Sequence, residues 1–213
     1  MKLKNIDGTE INGMGPDIAA DQVSALREKI NQLKAGDILV LAGSIPQSMP
    51  DTIYMDIMAD LQDKGVEIAV DATRDLLMNV LPYCPFLIKP NNHELGEIFG
   101  VELKKREEVI PYAKKLQEMG AKNVLVSMAG EGAVLIDENG REYMSPVPKG
   151  KVVNAVGAGD SMVAGFIAGY LEKKDYEYAF HMGIASGSAS AFSEQLATRA
   201  EVEALLKTIH SAE

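Results

Sequence analysis

Short apolar runs recur along this chain, each closed by glycine, proline or aspartate, and they alternate with amphipathic stretches. Residues 37–42 (Asp-Ile-Leu-Val-Leu-Ala), 66–70 (Val-Glu-Ile-Ala-Val), 86–88 (Phe-Leu-Ile) and 124–126 (Val-Leu-Val) are apolar almost throughout, not at every second position. A strand that is apolar on both faces has to be covered on both, and parallel sheets achieve this with crossover helices. The intervening segments read as those helices. Val23, Leu26, Ile30 and Leu33 form one stripe at helical spacing. Ile53, Ile57 and Leu61 form another, with Ser48 or Asp51 as the expected N-cap. A third helix is expected over 107–119, ending at Gly120. One hairpin interrupts the alternation. Residues 132–136 and 141–145 flank Glu138-Asn139-Gly140, and Asn-Gly between strand-like runs is a hairpin turn. The last third reads as three helices, over 158–172, 175–193 and 199–210. The pattern predicts an α/β fold in three layers, a mostly parallel sheet with helices on both faces. Residues 4–15, with Asp7-Gly8 and Asn12-Gly13, read instead as strand pieces joined by turns.

Composition narrows the function. With 213 residues, 46% hydrophobic and 24% charged, the chain suits one globular domain. The charge is −10, so a nucleic-acid partner is not expected, and an anionic ligand has to be held by local devices. No apolar run is long enough for a membrane span, and no apolar run follows the opening residues, so neither membrane insertion nor a secretory signal is expected. The single cysteine, Cys84, lies between Pro82 and Pro85. It forms no internal disulfide, reads as a buried structural thiol, and fits a cytoplasmic setting.

Four segments carry chemistry. In the first, 152–161, Gly157 and Gly159 let the backbone turn sharply where a helix begins. Free N–H groups and the positive end of the helix dipole then converge on an anion site. Asp160 sits in the first turn beside it. It reads either as a helix-capping carboxylate or as a general base next to a phosphoryl group. In the second segment, Lys89 follows a strand, and Asn91 and Glu94 share one face of a helical turn. Lys89 can reach a phosphate, and Asn91 and Glu94 could hold a hydrated Mg²⁺ or simply form a capping box. The third, Ser127 to Gly132, has two glycines at a strand end, where α/β sheets bind ligands. It is not a Walker loop, since no Gly-Lys-Ser/Thr follows. The fourth, Gly43-Ser44-Ile45-Pro46, puts a hydroxyl at another strand end or merely punctuates a loop. His181 and His210 sit in helical patterns without paired ligands.

The run from Asn154 through Gly157-Ala158-Gly159-Asp160-Ser161 to Gly165 resembles the C-terminal signature of the ribokinase-like (PfkB) carbohydrate kinases. Lys89-Pro90-Asn91, with Glu94, resembles that family's magnesium-associated motif, and the other two segments resemble its strand-end loops. The resemblance implies ATP-dependent phosphoryl transfer to a phosphorylated ketohexose. Within the family the chain is most similar to the branch that converts fructose 1-phosphate to fructose 1,6-bisphosphate, with tagatose 6-phosphate kinases beside it. It implies Asp160 as the base and a substrate contact, with Gly157, Ala158 and Gly159 as the anion hole. Lys89, Ser127, Ala129, Gly130, Gly132 and Ser188 would contact ATP. Asn91 and Glu94 would organise Mg²⁺ through water, and Ser44 would face the sugar. Members of the family extend further at the N-terminus. The implied division is therefore a remnant of the β-lid and its connection at 1–15, with the nucleotide-binding and catalytic domain at 16–213. The first strands of the sheet and most of the β-lid would be absent. On that reading, the partners are ATP, a phosphosugar, and a second copy or a separate N-terminal segment. A truncated Mg-nucleotide-binding fragment without turnover is the competing expectation.

Overall fold

The computed structural model of this chain describes residues 15–210. The strand pieces expected over 4–15 lie, Gly15 apart, outside the described residues. The elements run α1 (Ala20–Ile30), β1 (Ile38–Ala42), α2 (Ile53–Leu61), β2 (Glu67–Asp71), α3 (Arg74–Val80), β3 (Leu87–Ile88), α4 (Asn92–Phe99) and α5 (Arg106–Glu118). They continue with β4 (Asn123–Ser127), β5 (Ala133–Ile136), β6 (Glu142–Ser145), α6 (Ala158–Lys173), α7 (Tyr176–Phe192) and α8 (Arg199–His210). The six strands form one sheet in the order β1-β2-β3-β4-β5-β6. The first four pair in parallel, from Ile38 opposite Glu67 to Ala42 opposite Asp71 in the first pair. The β4–β5 and β5–β6 pairs are antiparallel, and Asn139-Gly140 sits at the turn of the expected hairpin.

The doubly apolar strands are covered as expected. Ile68, Val70, Ile88, Val124, Val126, Val134 and Ile136 pack toward α1–α5 in one core. The alternate residues Ala69, Leu87, Leu125, Ala133 and Leu135 pack toward α6–α8 in another. Each fully buried Leu, Ile or Phe contributes about 1.5–3 kcal/mol relative to exposure. Both layers are therefore held by burial.

The α6–α7 contact is the closest helix pair in the second layer. Along this seam Gly165 and Gly169 on α6 sit against Ala179, Met182 and Ser186 of α7, and Gly183 and Gly187 on α7 sit against Ala158, Met162 and Phe166 of α6. A Cβ at Gly187 would lie 3.0 Å from the Ala158 carbonyl. The backbone of α7 thus rests directly against the first turn of α6.

Two local expectations are corrected. Neither Ser48 nor Asp51 caps α2. Its N-cap is Thr52, without a side-chain cap bond, and a Pro50 carbonyl turn to the Ile53 N–H carries the start. Ser48 Oγ instead accepts from the Ile18 N–H at 2.9 Å. Cys84 is exposed, not buried. It closes a short 3₁₀ turn in the left-handed region, at φ 54°, so the chain leaves the turn at the surface before re-entering as β3. Among the described residues, no helix is long and apolar enough to cross a membrane.

Candidate active site

The C-terminal ends of the parallel strands meet the start of α6. Gly157 adopts φ 76°, a left-handed turn that a side chain would strain, and α6 begins at the next residue. The Ala158 N–H reaches back to the Ala155 carbonyl at 3.3 Å. The N–H groups of Gly157, Gly159 and Asp160 have no acceptor among the described residues. Asp160 occupies the third helical position, is exposed, and its carboxylate bonds to no described residue. The capping role is thus not taken up. One turn thus carries both an unengaged carboxylate and unengaged amides, which can accept a proton and hold an anion.

Lys89 lies beneath this turn. It is 6% exposed, and its Nζ is 3.2 Å from Asp71 Oδ1 at the end of β2. A Cβ at Gly159 would fall 3.3 Å from that Nζ, so glycine leaves the ammonium its place beside the helix start. Burial pushes the Asp71 carboxyl above its ordinary value, Lys89 pulls it back, and the charges of Glu94 and Asp160 push it further up. Three carboxylates therefore press on a region with one buried ammonium.

Asn91 and Glu94 form the capping box of α4. The Asn91 side chain accepts from the Glu94 N–H at 2.8 Å, and Glu94 Oε2 accepts from the Asn91 N–H at 2.8 Å. The box holds Glu94 rigidly, with Oε1 left over. Among the described residues, no three acidic, His or Cys side chains converge to enclose a metal. The surplus of carboxylates suits a cation held through its own waters, as Mg²⁺ is in phosphate sites.

A largely apolar cavity of about 470 Å³ opens beside the helix start. Its wall includes Asn91, Ser127, Ala129, Gly130, Gly132, Ala158, Gly159 and Ser188, all expected from sequence. Ala129 takes φ 46°, unusual for a residue with a side chain, in the short turn that follows β4. Val147, Val152, Met162, Ile184, Ala191 and Phe192 complete the apolar part. Lys89, Glu94, Gly157 and Asp160 are not part of its wall, although the Lys89 ammonium lies against Gly159, which is. Ser44 is exposed beyond β1 and is not part of the cavity wall, and its neighbour Gly43 donates to the Asp71 carbonyl at 3.1 Å.

Sequence reasoning missed Asp71, whose one signal was an acidic residue ending an apolar strand. It also missed the place of His93, which lines the cavity rim. The base of the Phe192 wall was invisible: a Cβ at Gly150 would lie 2.2 Å from the Phe192 ring, so the loop after β6 lies flat on that ring. No local sequence pattern announces this long-range contact.

Comparison with known proteins agrees with this geometry. The pfkB family carbohydrate kinase profile matches residues 2–203. A 1-phosphofructokinase of Bacillus subtilis is 48% identical over 209 residues, covering 98% of this chain and 69% of that protein. A D-tagatose-1-phosphate kinase of Bacillus licheniformis is 34% identical, covering 88% of this chain and 62% of that protein. A crystal structure described as a putative phosphofructokinase of Staphylococcus aureus superposes with a TM-score of 0.87 at 41% identity, covering 93% of this chain and 65% of that one. The chain thus spans about two thirds of the length of these relatives. With the sheet order, the anion turn and the matched sequence in agreement, this chain belongs to the pfkB family of carbohydrate kinases.

Proposed function

We propose that this chain binds ATP in the cavity beside α6 and carries the catalytic base of a phosphosugar kinase, with fructose 1-phosphate as the acceptor. One observation carries the reading: the Asp160 carboxylate and the Gly157, Gly159 and Asp160 N–H groups are all unengaged among the described residues, in a turn whose Gly159 lines the cavity. In this mechanism the acceptor hydroxyl gives its proton to Asp160 as its oxygen attacks the γ-phosphorus and ADP leaves. The Gly157, Gly159 and Asp160 amides, with Ala158 in the same turn, face the charge on the transferred group. Lys89 stands beside the phosphates. Ser127, Ala129, Gly130 and Gly132 border the nucleotide, and Ser188 the base. Mg²⁺, held through water by Asn91 and Glu94, would neutralise phosphate charge. The net charge of −10 does not oppose this, because the turn and Lys89 supply positive potential locally.

The acceptor assignment is supported by the names of the relatives. The B. subtilis protein is a 1-phosphofructokinase, and the tagatose relative is named for a 1-phosphate. Tagatose 1-phosphate is therefore a better second acceptor than the 6-phosphate expected from sequence. A further reading has its own observation. Ser44 stands on an exposed loop, outside the cavity wall, and the chain spans two thirds of its relatives. On that reading the chain is the Mg-nucleotide half of the enzyme, without turnover by itself.

Release of ADP from Mg-ATP, with and without fructose 1-phosphate, tests the proposal. Asp160→Asn should lower sugar-dependent turnover by about 10²–10⁴-fold, the usual contribution of a general base, with ATP affinity retained. Turnover unchanged by this substitution overturns Asp160 as the base. ATP binding without any turnover selects the nucleotide-half reading.

A further inference from the structure

The nucleotide cavity and the catalytic turn are built on different helices, and one buried hydroxyl joins them. Ser190, on the last turn of α7, is 3% exposed. Its Oγ donates to Ser161 Oγ at 2.9 Å and accepts from the Ala197 N–H at 3.1 Å. Ser161 directly follows Asp160. Ala197 directly follows Leu196, whose Cδ2 would lie 2.8 Å from a Cβ at Gly157. Ser190 is flanked in turn by Ser188, Ala191 and Phe192, which line the cavity. Three parts thus converge on one oxygen: the cavity wall, the first turn of α6, and the loop that lies over the anion turn.

The surroundings leave these parts little freedom to adjust independently. The glycine seam seats α7 against the Ala158 carbonyl. The Val153 and Asn154 N–H groups both donate to the Ala191 carbonyl, at 2.8 and 3.1 Å, and Asn154 Nδ2 reaches the Glu194 carbonyl at 3.3 Å. The loop before Gly157 therefore hangs on the same end of α7. A buried hydroxyl with both its donor and its acceptor used is costly to disturb, since any shift leaves a polar group unmet.

We propose that Ser190 is a positioning residue that couples the filling of the nucleotide cavity to the placement of Asp160 and the anion turn, acting through Ser161 and Ala197. This rests on the reading of the cavity as the ATP site. A nucleotide that presses on Ser188, Ala191 and Phe192 orders the end of α7. The Ser190 hydroxyl passes that order to Ser161 and to the Leu196 loop. Ser190 touches no reacting atom in this account.

The test measures amide hydrogen exchange across residues 157–162, with and without Mg-ADP, in the full chain. The variants are Ser190→Ala, Ser190→Cys, Ser161→Ala and the double Ala variant. In the parent, nucleotide binding should slow exchange in this segment. Ser190→Ala should bind ADP with nearly the parent affinity, yet lose roughly five- to tenfold of that ligand-linked protection, the scale of one hydrogen bond. Ser190→Cys, which keeps the volume but hydrogen-bonds weakly, should behave like the Ala variant. The double variant should lose no more than Ser190→Ala alone, because that substitution already removes the link to Ser161, while Ser161→Ala, which leaves the Ala197 bond in place, should lose no more than Ser190→Ala. Exchange in β4 should not change, which separates positioning from loss of stability. If Ser190→Ala does not fold, Ser161→Ala breaks the link from the other end. Parent-like ligand-linked protection in folded, ADP-binding variants overturns the proposal alone. A folded parent that binds no nucleotide overturns the ATP-site reading, and the coupling with it.

Discussion

Asp71 and Lys89 decide the electrostatic balance of the site. Asp71 is held up by burial and by the charges of Glu94 and Asp160, against the pull of Lys89. An acid whose folded-state value is raised binds its proton more tightly when folded than when unfolded. Stability from this group is therefore present at low pH. It is lost as pH rises from the ordinary value of 3.8 through the raised one. Asp71→Asn should remove that loss. Its melting temperature relative to the parent should climb over this window and level off above it. A constant offset from the loss of the Lys89 ion pair remains. Melting curves of the two proteins from below the ordinary value of 3.8 up to neutral pH measure this, and parallel curves would contradict it. Residue identity made some of this legible in advance. Gly157, Gly159 and Asp160 carry their geometry within four consecutive letters, and Asn91 with Glu94 carries its capping box in a spacing of three. Asp71 does not. A lone aspartate at a strand end is ordinary punctuation until the fold sets Lys89 and two more carboxylates around it.

At the scale of elements, the seam between α6 and α7 positions the site. Helix α7 carries almost no polar–apolar asymmetry, because it is buried nearly all round. Their tight approach was not legible, since small residues at a spacing of four suit a core helix of any neighbourhood. The structure explains them. A Cβ at Gly165 would meet Ser186 Oγ and Cβ and the Met182 carbonyl, at 2.2, 2.6 and 2.7 Å. Gly165→Ala should therefore cost about 1–3 kcal/mol as overpacking. For a chain of this size, each kcal/mol corresponds to about 2–4 °C in melting temperature. Gly130→Ala, with no atom within 4 Å of the added carbon, should leave melting unchanged. Equal melting of both variants would mean that the seam is loose. Strands and long helices were legible because their apolar periodicity is local. The exposed thiol of Cys84 was not. Its flanking prolines promised rigidity but did not say which way the left-handed turn would face.

At the scale of the whole molecule, the sheet ends on β1, which pairs with β2 alone among the described strands. Val40 on that edge is 45% exposed, and unpaired edge groups beside an apolar side chain invite pairing with another chain. Val40→Lys should lower concentration-dependent association in sedimentation, with folding retained. Association unchanged by the lysine would place it elsewhere on the surface. Positive potential is confined to the free N–H groups of the α6 turn and to the Lys89 ammonium, and the surrounding carboxylates of Asp71, Glu94 and Asp160 leave the rest of the neutralisation to a cation. The central claim is that the cavity beside α6 holds ATP. Calorimetric titration of the folded 213-residue chain with ATP and Mg²⁺ tests it most directly, alongside Asp160→Asn and the cavity-filling Ala191→Phe. The account predicts one site in the parent, retained in Asp160→Asn and lost in Ala191→Phe. No binding by the folded parent, or binding that survives Ala191→Phe, would contradict it.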